Sequence, residues 1–331
     1  MTTWLITGAN GNLGRRLISC LLGYESSDDS GDDKSGARSD EGSEQVGDRT
    51  DRVKAVVRSK RAAAEVARLV EDDTTRDRLD IVVTSYSDQA ALTEAARGCD
   101  VAVHLVGILK EGSTSTYVDA HENSCGALAG ACRESGVGCI VYLSIVGAAA
   151  QSSNQCLASK GRAEVEIHNS GVAACVLRVP MVLGEGDYAS RALYARAIKP
   201  RSFAFRAESL EQPVYAGDVV RAIVNAATHG VVGALDLGGP EVVSRRALTE
   251  RAATHLGKQT KVVSLPVGLG LVIASVMAKL SANPPVTPAM LGVLDHDDDV
   301  DSERALIELR LGELVSLDEM LRRVVVAQTR R

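Results

Sequence analysis

Aromatic side chains are scarce: two phenylalanines, one tryptophan and seven tyrosines among 331 residues. Ala, Val and Leu must therefore fill any core, and a 45% hydrophobic content suffices for one large domain and a smaller lobe. Excess positive charge is also missing. The formal net charge is −6, which argues against nucleic acid as an electrostatic partner. The negative charge is local, because residues 25–52 alone carry ten acidic and four basic side chains. No CxxC pair occurs. The seven cysteines (Cys20, Cys99, Cys125, Cys132, Cys139, Cys156 and Cys175) are odd in number and scattered, so they read as small buried hydrophobes in a reducing, cytoplasmic setting. No run is long enough to cross a bilayer. The longest apolar helix candidate, Val267–Met277, is short and soon followed by Lys279, so it reads as a buried or subunit-facing helix. Peripheral membrane contact and association with a protein complex stay open. Near the N-terminus, Thr7-Gly8-Ala9-Asn10 interrupts the apolar run where a signal peptide would continue.

What is present begins at once. Trp4-Leu5-Ile6 feeds a loop with glycines at Gly8, Gly11 and Gly14, which opens into an amphipathic helix carrying Leu17, Ile18, Leu21 and Leu22. Strand, glycine loop and helix in that order suit a dinucleotide pyrophosphate. Glycine permits the tight turn and close backbone approach, and the N–H groups of the helix start point at the anion. Thr7, Gly8, Asn10, Gly11, Asn12, Leu13 and Gly14 are the expected cofactor-binding residues of this loop.

Strand-like runs follow at Val53–Val57, Leu79–Thr84, Val101–Val106, Ile140–Ser144 and Ala174–Val179. Helical stretches lie between them at Arg61–Val70, Gln89–Ala96, Tyr117–Glu134 and Gln155–Asn169. This alternation predicts an α/β fold, a doubly wound parallel (Rossmann) sheet over residues 1–180. Residues 25–52 break the rhythm with Ser, Gly and Asp and read as a disordered acidic insertion whose removal should leave the fold intact. Residues 181–331 are expected to form a smaller, mostly helical lobe on the substrate side, with some segments returning to the first domain. There Asp218 and Ser244 read as helix caps.

TGANGNLG at Thr7–Gly14, VHLVGILKEG at Val103–Gly112, VYLSIVGA at Val141–Ala148, SKGRAE at Ser159–Glu164 and LRVPMVLGEGD at Leu177–Asp187 occur in order. Together they resemble the extended and atypical short-chain dehydrogenase/reductase superfamily, which includes NAD-dependent epimerases and dehydratases. The resemblance is nearest to the branch around the nucleotide-binding accessory subunit of complex I and its bacterial relatives. It covers about Thr2 to Ala227 and implies an NAD(P)-binding oxidoreductase fold.

The second strand ends at Arg58-Ser59-Lys60-Arg61, cations where an acidic residue would hold the ribose 2′-OH. Arg58 and Arg61 suit a 2′-phosphate, so NADP(H) is favoured over NAD(H). By position, Ser85 and Tyr86 should flank the adenine, while Leu105, Val106 and Gly107 should line the cofactor as in the superfamily. Arg178 and Pro180 match its Arg-x-Pro, where the backbone of Pro180 approaches the nicotinamide amide.

The superfamily pairs a tyrosine with a lysine four residues later, on one helical face. Lys160 matches the lysine, but the residue four before it is Cys156, too short to reach the same substrate atom. Ser144 fits the substrate-orienting Ser/Thr, although Ile145 competes for the place. Two groups could replace the missing acid: His121, four residues after Tyr117 on one face, and Cys156 itself, as a thiol activated by Lys160. No metal is expected, because Asp295-His296-Asp297-Asp298-Asp299 has no ligand spacing and reads as a solvated acidic loop. Three functions compete. The first is an NADP(H)-dependent oxidoreductase of unknown small-molecule substrate with an altered proton source. The second is a non-catalytic NADP(H)-binding structural or redox-sensing protein of a respiratory or quinone-related complex. The third is a sugar-nucleotide epimerase or dehydratase, which suffers equally from the absent tyrosine.

Overall fold

The computed structural model describes residues 1–23, 50–70, 72–112, 115–268, 270, 287–293, 296–326 and 328. Six apolar strands form its centre: β1 (Thr3–Thr7), β2 (Arg52–Val57), β3 (Leu79–Val83), β4 (Val101–His104), β5 (Cys139–Ile145) and β6 (Ala173–Val179). All pair in parallel in the order β3-β2-β1-β4-β5-β6, and a further strand, Gly233–Asp236, extends the sheet beside β6. This is the doubly wound arrangement, with the order reversing between β1 and β4.

Helices cover both faces, as a parallel sheet requires. They are α1 (Asn12–Leu22), α2 (Lys60–Ala67), α3 (Asp73–Arg76), α4 (Gln89–Ala96), α5 (Ser124–Ser135) and α6 (Gln155–His168). Leu17, Ile18 and Leu21 of α1 pack on one face with Val219 and Ile223 of a later helix, Ala216–Thr228. Leu92, Leu128 and Ile167 of α4, α5 and α6 pack on the other with Ile140 and Tyr142 of β5. The stretch expected as one helix over Tyr117–Glu134 is two structures: a π-helix at Val118–Asn123 runs directly into α5.

Local hydrogen bonds set several helix starts. Ser59 accepts from the Ala62 N–H at 3.2 Å, and Asn154 accepts from Cys156 and Leu157 at 2.9 and 3.2 Å. Ser244 caps its helix through the Ala247 N–H at 3.1 Å. Asp218 does not cap. Its helix begins two residues earlier, at Ala216, and the buried carboxylate instead accepts from Arg221 at 2.6 Å and from the Val315 N–H at 2.9 Å. Beyond the sheet, Leu193, Leu248, Met320 and Leu321 belong to a separate helical core.

Most of the acidic insertion, residues 25–49, lies outside the described residues, as do residues 269 and 271–277 of the apolar Val267–Met277 stretch. The insertion's expected end needs correcting. Asp51 accepts from the Thr2 N–H at 3.0 Å and Arg52 opens β2, so both belong to the sheet. Among the described residues no helix is long and apolar enough to cross a membrane. Replacing residues 25–49 by a short Gly/Ser linker should change unfolding stability by less than about 1 kcal/mol, since loop length enters only logarithmically. Urea denaturation checks this, and loss of soluble protein would overturn it.

Candidate functional site

The glycine loop ends β1 and starts α1 at the point where the sheet order reverses. Gly8 adopts φ +77, and a side chain there would press on the backbone of Leu105 at 3.0 Å. A Cβ at Gly14 would lie 2.5 Å from the Gly8 carbonyl oxygen. Gly11 is the N-cap of α1 and supplies no side-chain cap, so the helix-start N–H groups have no side-chain acceptor. Uncapped donors, a left-handed turn and a close approach between loops make an anion cradle.

The side chains of the loop are used elsewhere. Thr7 Oγ1 donates to Nδ1 of the buried His104 at 2.6 Å. Asn12 Nδ2 donates to the Glu185 carbonyl at 3.0 Å, and Arg16 pairs with the Glu185 carboxylate, which also accepts from Tyr215 at 2.8 Å. Asn10 reaches Glu65 only at 3.5 Å. The backbone N–H groups left open are those of Asn12, Leu13 and Gly14 at the helix start, since the Gly11 N–H donates to the Gly8 carbonyl at 3.0 Å.

Leu105, Val106 and Gly107 continue from β4 beside the Gly8 turn. Gly107 meets Lys160: a Cβ there would sit 3.1 Å from the Lys160 ammonium. Lys160 is buried, donates to the Leu143 carbonyl at 3.1 Å and lies 4.7 Å from the centre of the Tyr142 ring. Its two other N–H donors have no acceptor among the described residues. Burial lowers its pKa, against weaker opposing influences from Cys125, Cys156 and Glu164. The glycine loop, the 105–107 turn and Lys160 thus form one crevice along the ends of β1, β4 and β5.

Arg58 is exposed at the end of β2 and lies 5.6 Å from the centre of the Tyr86 ring. It has no acidic partner among the described residues. Arg61 is exposed and pairs with Glu65 at 3.2 Å. Tyr86 is itself buried, its hydroxyl 3.5 Å from the Val56 carbonyl, and Ser85 is exposed and bonded to Ser87 at 2.9 Å. Pro180 is buried just beyond β6.

Three expected reactive groups are committed to other partners. The His121 Nε2 accepts from the Ile108 N–H at 3.0 Å, which places the ring proton on Nδ1, donated to Ser159 at 2.7 Å. Burial and then Lys160 push its pKa down to about 3, so it is neutral and fully bonded, not a proton donor. Ser144 donates to Glu164 at 2.5 Å, and that carboxylate is held by Arg178 through bonds of 3.0 and 2.5 Å. Cys156 packs with Tyr117 and Leu157, and burial raises its thiol pKa more than Lys160 lowers it. Of the two readings of Cys156, an activated and a buried inert thiol, the inert one fits: desolvation wins over the nearby charge.

Glu164 and Ser159 were not singled out as functional residues. Both lie in the SKGRAE segment, but their partners are 14 to 38 residues away in sequence. A cavity of about 600 Å³ adjoins Cys156, lined by Glu111, Tyr117, Asn154, Gln155, Thr287 and Ala289 among others. The Asp295–Asp299 segment, of which Asp295 lies outside the described residues, is more than a solvated loop. Asp297 accepts from Ser209 at 2.6 Å and from the Leu210 N–H at 3.0 Å, while His296 pairs with Asp298 at 3.1 Å.

The sheet order and the glycine turn at its switch point make a Rossmann fold of the kind that binds dinucleotides. A family described as NAD(P)H-binding matches residues 40–207, and the chain belongs to it. Subunit 9 of the NADH dehydrogenase (ubiquinone) 1 alpha subcomplex of Mus musculus is 28% identical over 42% of this chain and 37% of its own length. The chain thus spans little more than a third of that mitochondrial relative. Ceramide reductase of Caulobacter vibrioides is 23% identical over 65% of this chain and 68% of that protein. Among solved structures, UDP-glucuronic acid 4-epimerase from Bacillus cereus in complex with NAD superposes with a TM-score of 0.70 at 16% identity, covering 99% of each chain. An NADPH-dependent quinone oxidoreductase from Escherichia coli complexed with NADPH gives 0.67 at 17% identity, over 96% of this chain and 98% of that one.

The buried histidines make stability depend on pH. His104, like His121, is pushed down to about 3, first by burial. The folded state therefore binds fewer protons than the unfolded state between about pH 3 and 6.5. Stability from these groups is complete above pH 6.5 and is lost as pH falls, by about 1.4 kcal/mol per pH unit for each histidine. Urea unfolding between pH 6.5 and 4.5 should show this slope, and His121→Gln should remove about half of the histidine part.

Proposed function

We propose that the crevice binds NADP(H) in preference to NAD(H) and that the protein is an oxidoreductase acting on a carbonyl or alcohol. The observation that carries this reading is Lys160, a buried ammonium beside Gly107 with two donors that meet no acceptor among the described residues. The residues present fit such a cofactor. The backbone from Asn12 to Gly14 would hold its pyrophosphate, Lys160 its nicotinamide ribose, and Leu105, Val106 and Gly107 its flank. Ser85 and Tyr86 would border the adenine, and Pro180 would bring its backbone toward the nicotinamide amide. Arg58, exposed and without an acidic partner among the described residues, supports a 2′-phosphate, with Arg61 as a second cation.

The nicotinamide, when bound, supplies hydride chemistry; the chain supplies position and charge. Lys160 orients the sugar and holds positive charge beside the reacting centre. The cavity beside Cys156 would admit the substrate through Asn154, Gln155 and Tyr117. With Cys156 in the tyrosine's place, the proton would come from solvent or from the substrate itself, which favours slow turnover.

A second reading, a cofactor-binding subunit without turnover, rests on the commitments of Cys156, His121 and Ser144 described above. It also draws on the likeness to a complex I subunit and would place this protein in a respiratory or quinone-related assembly. A sugar-nucleotide epimerase draws support only from the fold.

Titration of the nucleotide-free protein should give NADPH at least tenfold tighter than NADH. Arg58→Glu should remove that difference while sparing NADH, since charge-assisted bonds to phosphate are individually strong. Equal affinities in the wild type would refute the preference. Cys156→Tyr should raise NADPH oxidation with a panel of carbonyl compounds at least tenfold. An unchanged rate with the cofactor still bound favours the non-catalytic subunit.

A further inference from the structure

The chain's two phenylalanines lie two residues apart on one strand, far from the crevice in sequence. That strand, Arg201–Phe205, pairs in parallel with Lys261–Leu265 as a two-stranded ribbon. Burial alternates along it. Ser202, Ala204 and Val262 face inward, while Arg201, Phe203 and Lys261 are exposed. The register puts Arg201 opposite Lys261, Phe203 opposite Val263 and Phe205 opposite Leu265. The outer face thus carries a basic pair at one end followed by two apolar pairs.

Phe203 is 59% exposed, and its strand partner Val263 and the next pair, Phe205 and Leu265, are only partly buried, so the exposed ring belongs to a small apolar patch. Phe205 is half-buried, and Gly270 packs on its ring. The exposed charges at the Arg201–Lys261 end of this face are basic, whereas Glu208 and Asp297 lie toward its other end, paired with Arg246 and Arg206. Lys199 and Lys258 are exposed beside Arg201 and Lys261, and the Lys261 N–H donates to the Pro200 carbonyl at 3.0 Å, which ties the two basic turns together. Neither residues 191–207 nor residues 251–268 contain an acidic residue. In a chain of net charge −6, this is a local cationic surface.

We propose that this ribbon docks on an anionic lipid bilayer. Phe203, flanked by Val263, would enter the headgroup boundary, and Lys199, Arg201, Lys258 and Lys261 would meet the lipid phosphates. Apolar insertion and several basic side chains are the two signals that reversible membrane attachment needs. An acidic protein partner would fit the cations too, and binding to vesicles separates the two. The site is independent of the cofactor crevice, so the protein would work at a membrane surface whichever reading of its chemistry holds.

Co-flotation of the full chain with lipid vesicles tests this. Vesicles of phosphatidylcholine with about one-third phosphatidylglycerol should carry the protein, phosphatidylcholine alone should not, and high salt should release it. Phe203→Glu should cut partitioning at least tenfold. Lys258→Glu and Lys261→Glu should each cut it about fivefold or more, the effect of about one lost basic contact. These side chains are exposed, so thermal unfolding and NADPH binding should stay at wild-type values in all three variants. Three results would overturn the proposal: no flotation with the anionic vesicles, flotation indifferent to phosphatidylglycerol, or flotation unchanged by Phe203→Glu.

Discussion

A methyl group at Gly14 would stand 2.5 Å from the carbonyl oxygen of Gly8, and the remaining features of the crevice depend on that closeness. It sets where α1 begins and leaves its first N–H groups pointing out over the end of β1. It also lets the Gly8 turn lie against Leu105. Substituting any of these glycines would not merely crowd a loop. It would lift the helix start away from the sheet and separate the anion cradle from the segment that leads to Lys160. Asn12 and Arg16 extend the same constraint outward, because both bind Glu185 and so tie the cradle to the chain beyond β6.

Beneath the crevice runs a chain of buried polar groups. Ser124 donates to the Ala120 carbonyl at 2.9 Å, so His104 donates through Nε2 to Ser124 and accepts from Thr7 through Nδ1. His121 links the turn at Ile108 to Ser159 of α6 in the same manner. Each histidine has both ring nitrogens satisfied, which is the condition for burying an imidazole without large cost. The two together fasten β1, β4, the π-helix and α6 to one another. A π-helix widens the turn by a residue, and here it is the segment that brings His121 inward between these partners.

Much of this was legible in the residues, for a physical reason. Strands buried on both faces leave apolar runs, and β1 to β6 were all read from them. The seventh strand, Gly233–Asp236, was missed because Leu235 is its only buried residue, too little to make a run. Lys160 could be read from its motif, but its surroundings could not. The Cys156–Lys160 spacing reports a charge one helical turn away and says nothing of burial, and it is burial that decides between an activated and an inert thiol by raising the pKa. The engagement of Ser144 is hidden for a related reason. Its partner Glu164 lies 20 residues on, and only the folded helix brings that carboxylate, with Arg178, against β5. The ends of the acidic segment were misjudged because Asp51 looks like its neighbours in composition and differs only by the bond it accepts from Thr2.

The groups that would hold a dinucleotide and those that would move a proton stand in different states. Every feature that would hold a dinucleotide is intact: the glycine contacts, the uncapped helix, the open Gly107 and the unspent donors of Lys160. Every group expected to move a proton is altered or engaged. A buried lysine with unmet donors is costly to keep unless something anionic or polar meets it, whereas a proton donor can be lost with no cost to folding. Cys156 in the tyrosine's place beside the lysine and the glycines therefore leaves nucleotide binding possible and proton transfer slow. That combination accommodates a slow reductase and a cofactor-bound subunit alike. What separates them physically is whether the space beside Cys156 can present a carbonyl close to the nicotinamide. That space is lined by the polar side chains of Asn154, Gln155 and Glu111 beside the Tyr117 ring, and its distance from Lys160 is what such a carbonyl would have to span.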